Sequence, residues 1–458
     1  KTKESLFPFA GSVYTEALWP FLGMVIPNSS GFSIIFPFEV MLILHFFLFF
    51  LPFQFALSPG EGIDLPSARV LSVGIGIAWF LSGMWKRKLR IPWDFQTAVF
   101  LSVWFWAVFS VFVAEEPSWA WRKLFFLFSF LPLYFVFLEK TDEDDGSGIS
   151  LSQSLVFGAF FSALIGIFQV AAQFFIPVGT LFVWWTKVLL PFFLGNSFSS
   201  VVMEYPSLLV HISGQTVMRA SAFFPDPHMH AFFLGIALPF AVFFSVSRNS
   251  VFWKWAAVTI LVADLLTFSR GAYLGLTVAL IGITIYFLLQ KNSYATKFFL
   301  GMCFVITFFL IPHPVSERFW SSFSREDGSV SARLVIYAEA VDTLSEHPLL
   351  GVGLGNYPLT VKPSAERREP IYAHDLWLDL AVEIGIIGTL SLFFFYMRTV
   401  WIVYMRSRSG TKSFSLAIFC SLLIFFGHSL VETPIFSVQV LPILLFVLAM
   451  GNRSYGQK

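Results

Sequence analysis

Charge is scarce in this chain, and the little there is cancels. Its 29 Lys and Arg against 28 Asp and Glu leave a net charge of +1, with only 12% of residues charged. That balance supplies neither a basic footprint nor an acidic tail, so nucleic acid is excluded as a partner. Cysteine is equally rare. Cys303 and Cys420 both lie inside apolar runs, where they are expected to be small buried hydrophobes, and they build no disulfide framework. The opening KTKESLFPF carries no cleavable-signal pattern, so the first spanning segment is expected to serve as its own insertion signal.

What is abundant is apolar surface. Hydrophobic residues make up 57% of the chain and Phe alone contributes 60 residues, more than one soluble core could bury. The chain therefore reads as an all-α polytopic membrane protein, one membrane domain over 1–458. At about 20 apolar residues per crossing, twelve spans are expected near 34–56, 69–85, 95–113, 119–138, 151–175, 228–246, 251–268, 270–289, 297–312, 375–397, 413–432 and 435–450. Residues 12–27, which include Glu16, Pro20 and Pro27, read as an interfacial or re-entrant piece.

Orientation follows from the basic residues of short loops. Lys86, Arg87, Lys88 and Arg90 put the second connection in the cytoplasm, and the same side then receives Arg248, Lys254, Lys291, Lys297, Arg398, Arg406, Arg408, Lys412 and both termini. The acidic run at 139–148 also falls inside, where acidic residues weigh little. Two long segments, 176–227 and 313–373, land on the outer, periplasmic side; loops of that length are functional or disordered, and the first is too rich in Trp, Phe and Val to be disordered. The second holds an amphipathic helix with Leu334, Ile336, Tyr337, Ala340, Val341 and Leu344 on its apolar face. Ser329 or Ser331 would cap it, Pro348 would end it, and the glycines of GVGLGN would form a plain turn.

The outer side should be poor in basic residues, yet Arg219, Arg270, Arg318, Arg325, Arg333, Lys362, Arg367 and Arg368 all fall there. Arg270 sits in the short break between two spans, and Arg219 approaches just before the sixth. Guanidinium groups match phosphate oxygens in bidentate geometry, so this pair suits a diphosphate; the plainer reading is an anchor to lipid headgroups. His374 stands at the mouth of a span, where an ionisable group is costly and points to a pathway or a reaction. Helical spacing would set Trp377, Leu378, Glu383 and Gly385 on its stripe, with Glu383 either orienting the imidazole or tying two helices together. His228 and His230 form an HxH whose rings should diverge on a helix, which argues against a metal. Asp264 and Glu432 read as lone carboxylates, solvated or bonded to backbone.

Taken in order, Arg219 with FFPDP, SRG at 269–271, Arg333 opening the outer helix, HPLLGVGLGNY at 347–357 and AHDLWLDLAVEIGIIG resemble the motifs of the O-antigen ligase and polymerase superfamily. The likeness covers about residues 215–435, and Asp375 stands where the family usually has Asn. The resemblance implies a GT-C-like, inverting, metal-independent glycosyltransferase of the bacterial inner membrane that needs no cofactor. Its donor would be an undecaprenyl-diphosphate-linked glycan and its acceptor lipid- or glycan-linked, joined at the periplasmic face. It makes Arg219 and Arg270 holders of the diphosphate and His374 the base, with Arg333, Asp375 and Glu383 in support. An O-antigen ligase acting on lipid A core is the favoured reading and a polymerase the alternative. A solute transporter also has about twelve spans, but it more often pairs interrupted helices with midplane charges, whereas here the polar groups gather at one face.

Overall fold

The computed structural model describes residues 35–453 apart from 61–62, 88, 90, 144, 213, 292–293, 321–327, 367–368 and 409–411. The re-entrant piece at 12–27, Lys88, Arg90, Arg325, Arg367 and Arg368 therefore lie outside the described residues. The chain divides into two units, residues 1–40 and 41–458, and the second carries everything below from residue 41 onward.

Long apolar runs become helices, in the order α1 (Ile35–Phe50), α2 (Ser67–Trp85), α3 (Phe95–Ser110), α4 (Pro117–Glu143) and α5 (Asp145–Ala172). A hairpin, β1 (Ala56–Gly60) with β2 (Ile63–Pro66), joins the first two. The segment 176–227 is built of α6 (Val178–Trp184), α7 (Leu190–Leu194), α8 (Asn196–Glu204) and a second antiparallel hairpin, β3 (Leu209–Ile212) with β4 (Gln215–Met218). Some of its Trp and Phe residues pack inward in a core around Leu181, Phe182, Trp185 and Leu190, while Trp184, Phe192 and Phe198 are exposed. Then come α9 (Pro227–Ser247), α10 (Val251–Leu266), α11 (Arg270–Leu289), α12 (Tyr294–Leu310) and α13 (Pro314–Trp320). The chain closes with α14 (Gly328–Glu346), α15 (Tyr357–Val361), α16 (Leu376–Arg408), α17 (Lys412–Ser429) and α18 (Val440–Asn452). The fold is thus mostly helical, with two small hairpins that an all-α reading leaves out.

Among the described residues, seven helices are long and apolar enough to cross a membrane: α2, α3 with its extension to Val113, α4, α5, α9, α11 and α16. The chain is a multi-pass membrane protein. A helix occupies each stretch read as a span, but α1, α10, α12, α17 and α18 have only 16, 16, 17, 18 and 13 residues, short of the about 20 a straight crossing takes, so seven of the twelve expected spans meet that length. At the centre is α9, most of whose apolar residues are buried, Phe232, Phe233, Phe240 and Phe244 almost fully, with Val242 and Val246 near its end exposed, as expected of a helix without a polar stripe.

Two details depart from expectation. The amphipathic helix of the second long segment, α14, begins at Gly328, so Ser329 and Ser331 lie inside its first turn rather than ahead of it. Helix α16 runs on to Arg408, which moves Arg398 and Arg406 out of a loop: the Arg398 guanidinium stands 5.0 Å over the Phe95 ring, and Arg406 Nη2 donates to the Arg453 carbonyl at 2.7 Å.

Near its start α16 is broken at Gly385, which adopts φ 79° and ψ 169°. The loop from Pro348 to Val352 takes up the released backbone groups. Ile386 N donates to Pro348 O at 2.9 Å and Val352 N to Val382 O at 2.8 Å. Such an approach tolerates no side chain, since a Cβ on Gly385 would lie 1.9 Å from Leu349 O and one on Gly351 2.2 Å from Val382 O. GVGLGN is a turn, then, and its job is to seat this loop in the break of α16.

Candidate active site

The starts of α9, α11 and α16 meet the ends of α10 and α17, and the polar residues at those termini converge. At the middle is Glu432, 3% exposed, in the turn after α17. Its Oε2 accepts from His374 Nδ1 at 3.2 Å. Its Oε1 accepts from Arg333 Nη2 of α14 at 3.0 Å and lies 3.7 Å from His228 Nε2. Burial alone would push this carboxyl up, but His228, His374 and Arg333 outweigh it and hold Glu432 well below the usual carboxylate range. The expectation of a solvated or backbone-bonded carboxylate is overturned. The signal was a lone acid at a span end on the arginine-rich face.

His374 lies just outside α16, with φ 56°, a left-handed conformation that few side chains adopt without support. The helix starts after it because Asp375 is the cap: Asp375 Oδ1 accepts from Trp377 N at 2.9 Å and Leu378 N at 3.0 Å. Asn and Asp cap equally well, so the departure from the family's usual Asn preserves the function the geometry gives this position. Burial raises the Asp375 carboxyl. The imidazole therefore does not share a helical stripe with Glu383, whose two oxygens each accept from Lys123 Nζ of α4 at 2.7 Å. Glu383 ties two helices together. The Tyr372 ring packs 4.3 Å from His374, and burial holds its phenol well above the ordinary value.

Arg219 is buried beside this centre. Its Nε donates to Thr267 O at 2.7 Å, its Nη1 to Ser207 O at 2.9 Å, and its Nη2 faces His228 Nε2 at 3.4 Å. Burial, assisted by the charge of Arg318, lowers Arg219 to about 10, which leaves it charged at neutral pH. His228 Nδ1 lies 2.8 Å from Ser269 Oγ, and Ser269 in turn faces His428 Nε2 at 3.2 Å. Ser269 also caps α11. Arg270 is the first residue of that helix, one position from this chain of donors. Asp226 caps α9 by accepting from Met229 N at 2.9 Å, and burial, with Glu432 adding to it, raises its carboxyl to about 6.

Other candidates stand apart. His230 turns away from His228 to Ser162 Oγ at 2.9 Å and Ala220 O at 3.0 Å, so the HxH rings diverge. Asp264 is 1% exposed and neither of its oxygens has a hydrogen-bond partner among the described residues, which corrects its reading as solvated or backbone-bonded. No group of three His, Cys, Asp or Glu suited to a metal occurs among the described residues. A cleft of about 480 Å³ opens beside the GVGLGN turn, lined by Val113, Glu115, His347, Asn356 and Thr360, and none of the residues around Glu432 lines it.

Residues 255–394 match the family described as O-antigen ligase. Over that stretch, less than half of the chain, the sequence is similar to the O-antigen ligase family. Members of this O-antigen ligase/polymerase superfamily are enzymes of glycosyl transfer. No curated protein matches the chain. The matched O-antigen ligase stretch contains Arg270, Arg333 and His374 but stops short of Glu432, and it begins after Arg219 and His228. Only the folded chain joins these outlying residues to the matched ones.

Proposed function

We propose that this chain transfers a glycan from undecaprenyl diphosphate to an acceptor sugar at the periplasmic membrane face, as a GT-C-like inverting enzyme, with lipid A core as the acceptor. The observation that carries the reading is the His374–Glu432 contact beside Arg333 and Arg219, in a chain similar over 255–394 to the O-antigen ligase family. A carboxylate facing Nδ1 fixes the neutral imidazole with its proton on that nitrogen and its lone pair on Nε2. That lone pair takes the proton of the acceptor hydroxyl as its oxygen attacks the anomeric carbon. The bond from the anomeric carbon to phosphate oxygen breaks, and undecaprenyl diphosphate leaves with the electron pair.

Arg270 and Arg219 stabilise the charge that develops on the leaving diphosphate, a task suited to groups fixed beforehand. Arg219 spends two donors on backbone carbonyls, so its contribution is a held charge, and Arg270 supplies the fork. The donor arrives activated, so the reaction asks for no nucleotide. Polymer transfer to another glycan repeat uses the same chemistry; a deletion strain that retains one repeat unit on lipid A would assign the chain to polymerisation, and one with none to ligation. The decisive test is His374→Gln in proteoliposomes with a lipid-diphosphate-linked glycan. Loss of about 10²- to 10⁴-fold in turnover is expected for removing a base, and near wild-type turnover would leave His374 no role in the proton step.

A further inference from the structure

His374 and Glu432 reach each other from two loops 58 residues apart in sequence. Neither loop is held by its own secondary structure, since one precedes α16 and the other follows α17. A third side chain connects them. Asp379, in the first turn of α16 and 3% exposed, accepts from Ala373 N at 2.6 Å through Oδ1. Its Oδ2 accepts from the Thr433 hydroxyl. Ala373 precedes the histidine, and Thr433 follows the glutamate.

We propose that Asp379 is the positioning residue of this centre: one carboxylate clips the histidine loop to the glutamate loop and so sets the distance and angle of the His374–Glu432 contact. The inference rests on the reading of His374 as base. The left-handed backbone of His374 persists only if its surroundings over-determine it, and it is held on one side by the Asp379 bond to Ala373 and on the other by the Asp375 cap. Burying a carboxylate is costly unless its oxygens are satisfied, and here each oxygen is spent on a different loop. The neighbouring acid one turn on, Glu383, is engaged with Lys123 and does not compete for either donor.

A clip acts on turnover through the dyad and leaves substrate affinity alone. Thr433→Val removes the hydroxyl with little change of shape. Freed loops misplace the base, and a misplacement on the order of 1 Å costs about 10²-fold, so kcat should fall by that order with KM for donor and acceptor little changed. Asp379→Asn, which can keep one bond to each loop through its oxygen and amide, should lose less than Asp379→Ala. The deciding measurement is a double-mutant cycle: in a Glu432→Gln background, where there is no carboxylate left to position, Thr433→Val and Asp379→Ala should cost nothing further. The same fold loss in both backgrounds, or wild-type kcat in Thr433→Val, would overturn the proposal. If Asp379→Ala fails to insert, Thr433→Val decides alone. Wild-type turnover in Glu432→Gln itself would instead sink the dyad reading under Proposed function.

Discussion

Glu432→Gln is the sharpest perturbation the site offers, because it changes charge and leaves shape. The glutamine can turn its amide toward His374 Nδ1, which then accepts, and the ring proton moves to Nε2, the nitrogen required as base. Amidation of a carboxylate that orients a catalytic histidine costs about 10⁴ in kcat where the ring is sealed. The His374 side chain is 26% exposed, so water can stand in for the lost acceptor in part of the population, and about 10²–10³ is expected here. Stability should move less. Breaking a buried ion pair costs about 3–5 kcal/mol, but the Arg333 side chain is 21% exposed and can turn to solvent, which puts the cost at the low end. The assay is transfer from a lipid-diphosphate-linked glycan in proteoliposomes, with Tm measured on the same preparations. The acid limb supplies a control: since Glu432 is held below the usual range, its stabilisation is complete above the ordinary carboxylate pKa and is lost as pH falls through the lowered folded value, a loss the Gln variant should not show. A Gln variant with wild-type kcat would refute the dyad.

Arg270→Ala should nearly abolish transfer, and Arg270→Lys should lose much of it because a point charge does not reproduce a bidentate fork; full activity in the Lys variant would end the clamp reading. Gly385→Ala forces a Cβ to 1.9 Å from Leu349 O at a φ of 79°, and the strain with the two backbone bonds it disrupts should cost about 2–6 kcal/mol, read as a large fall in Tm; an unchanged Tm would mean that the break in α16 can heal without loss. Asp226→Asn should stabilise at pH 7.5 and not at pH 4.5. Its folded carboxyl is raised to about 6, so the wild type loses stability as pH rises from about 4 toward 6, at most about 3 kcal/mol in full. Asn keeps the cap without the charge; equal Tm values at pH 7.5 would show that Asp226 carries no such penalty.

The helices were legible because a membrane leaves the backbone few other choices, and runs of Phe, Leu and Val mark them plainly. Their break at Gly385 was not. Glycine is common in membrane helices, so VEIGIIG reads as a continuous stripe until the backbone of Pro348–Val352 is seen to take up the groups released there. The same break explains why HPLLGVG and EIGIIG both need glycine, a dependence between two stretches that neither spacing nor composition carries. His374 stood out by its place at a span mouth. Its partner did not, because no spacing rule links it to a residue 58 positions on.

Glu432 nevertheless carried a physical signal, and it generalises within this chain. A carboxylate at the end of an apolar run costs several kcal/mol to bury alone, and the side read from the sequence as outer would hold an excess of arginines that the positive-inside rule disfavours. Two costly features of opposite sign on one face are best reconciled as each other's partners. Arg333 and Glu432, 99 residues apart, are such a pair. Asp264 marks the limit of that reasoning: it too ends a span, and it lies buried with no hydrogen-bond partner among the described residues. Opposite charge on a shared face thus predicts pairing only for an acid in a turn such as Glu432, free to swing toward the arginines; one fixed in a helical turn, like Asp264, takes whatever surroundings its helix packs against.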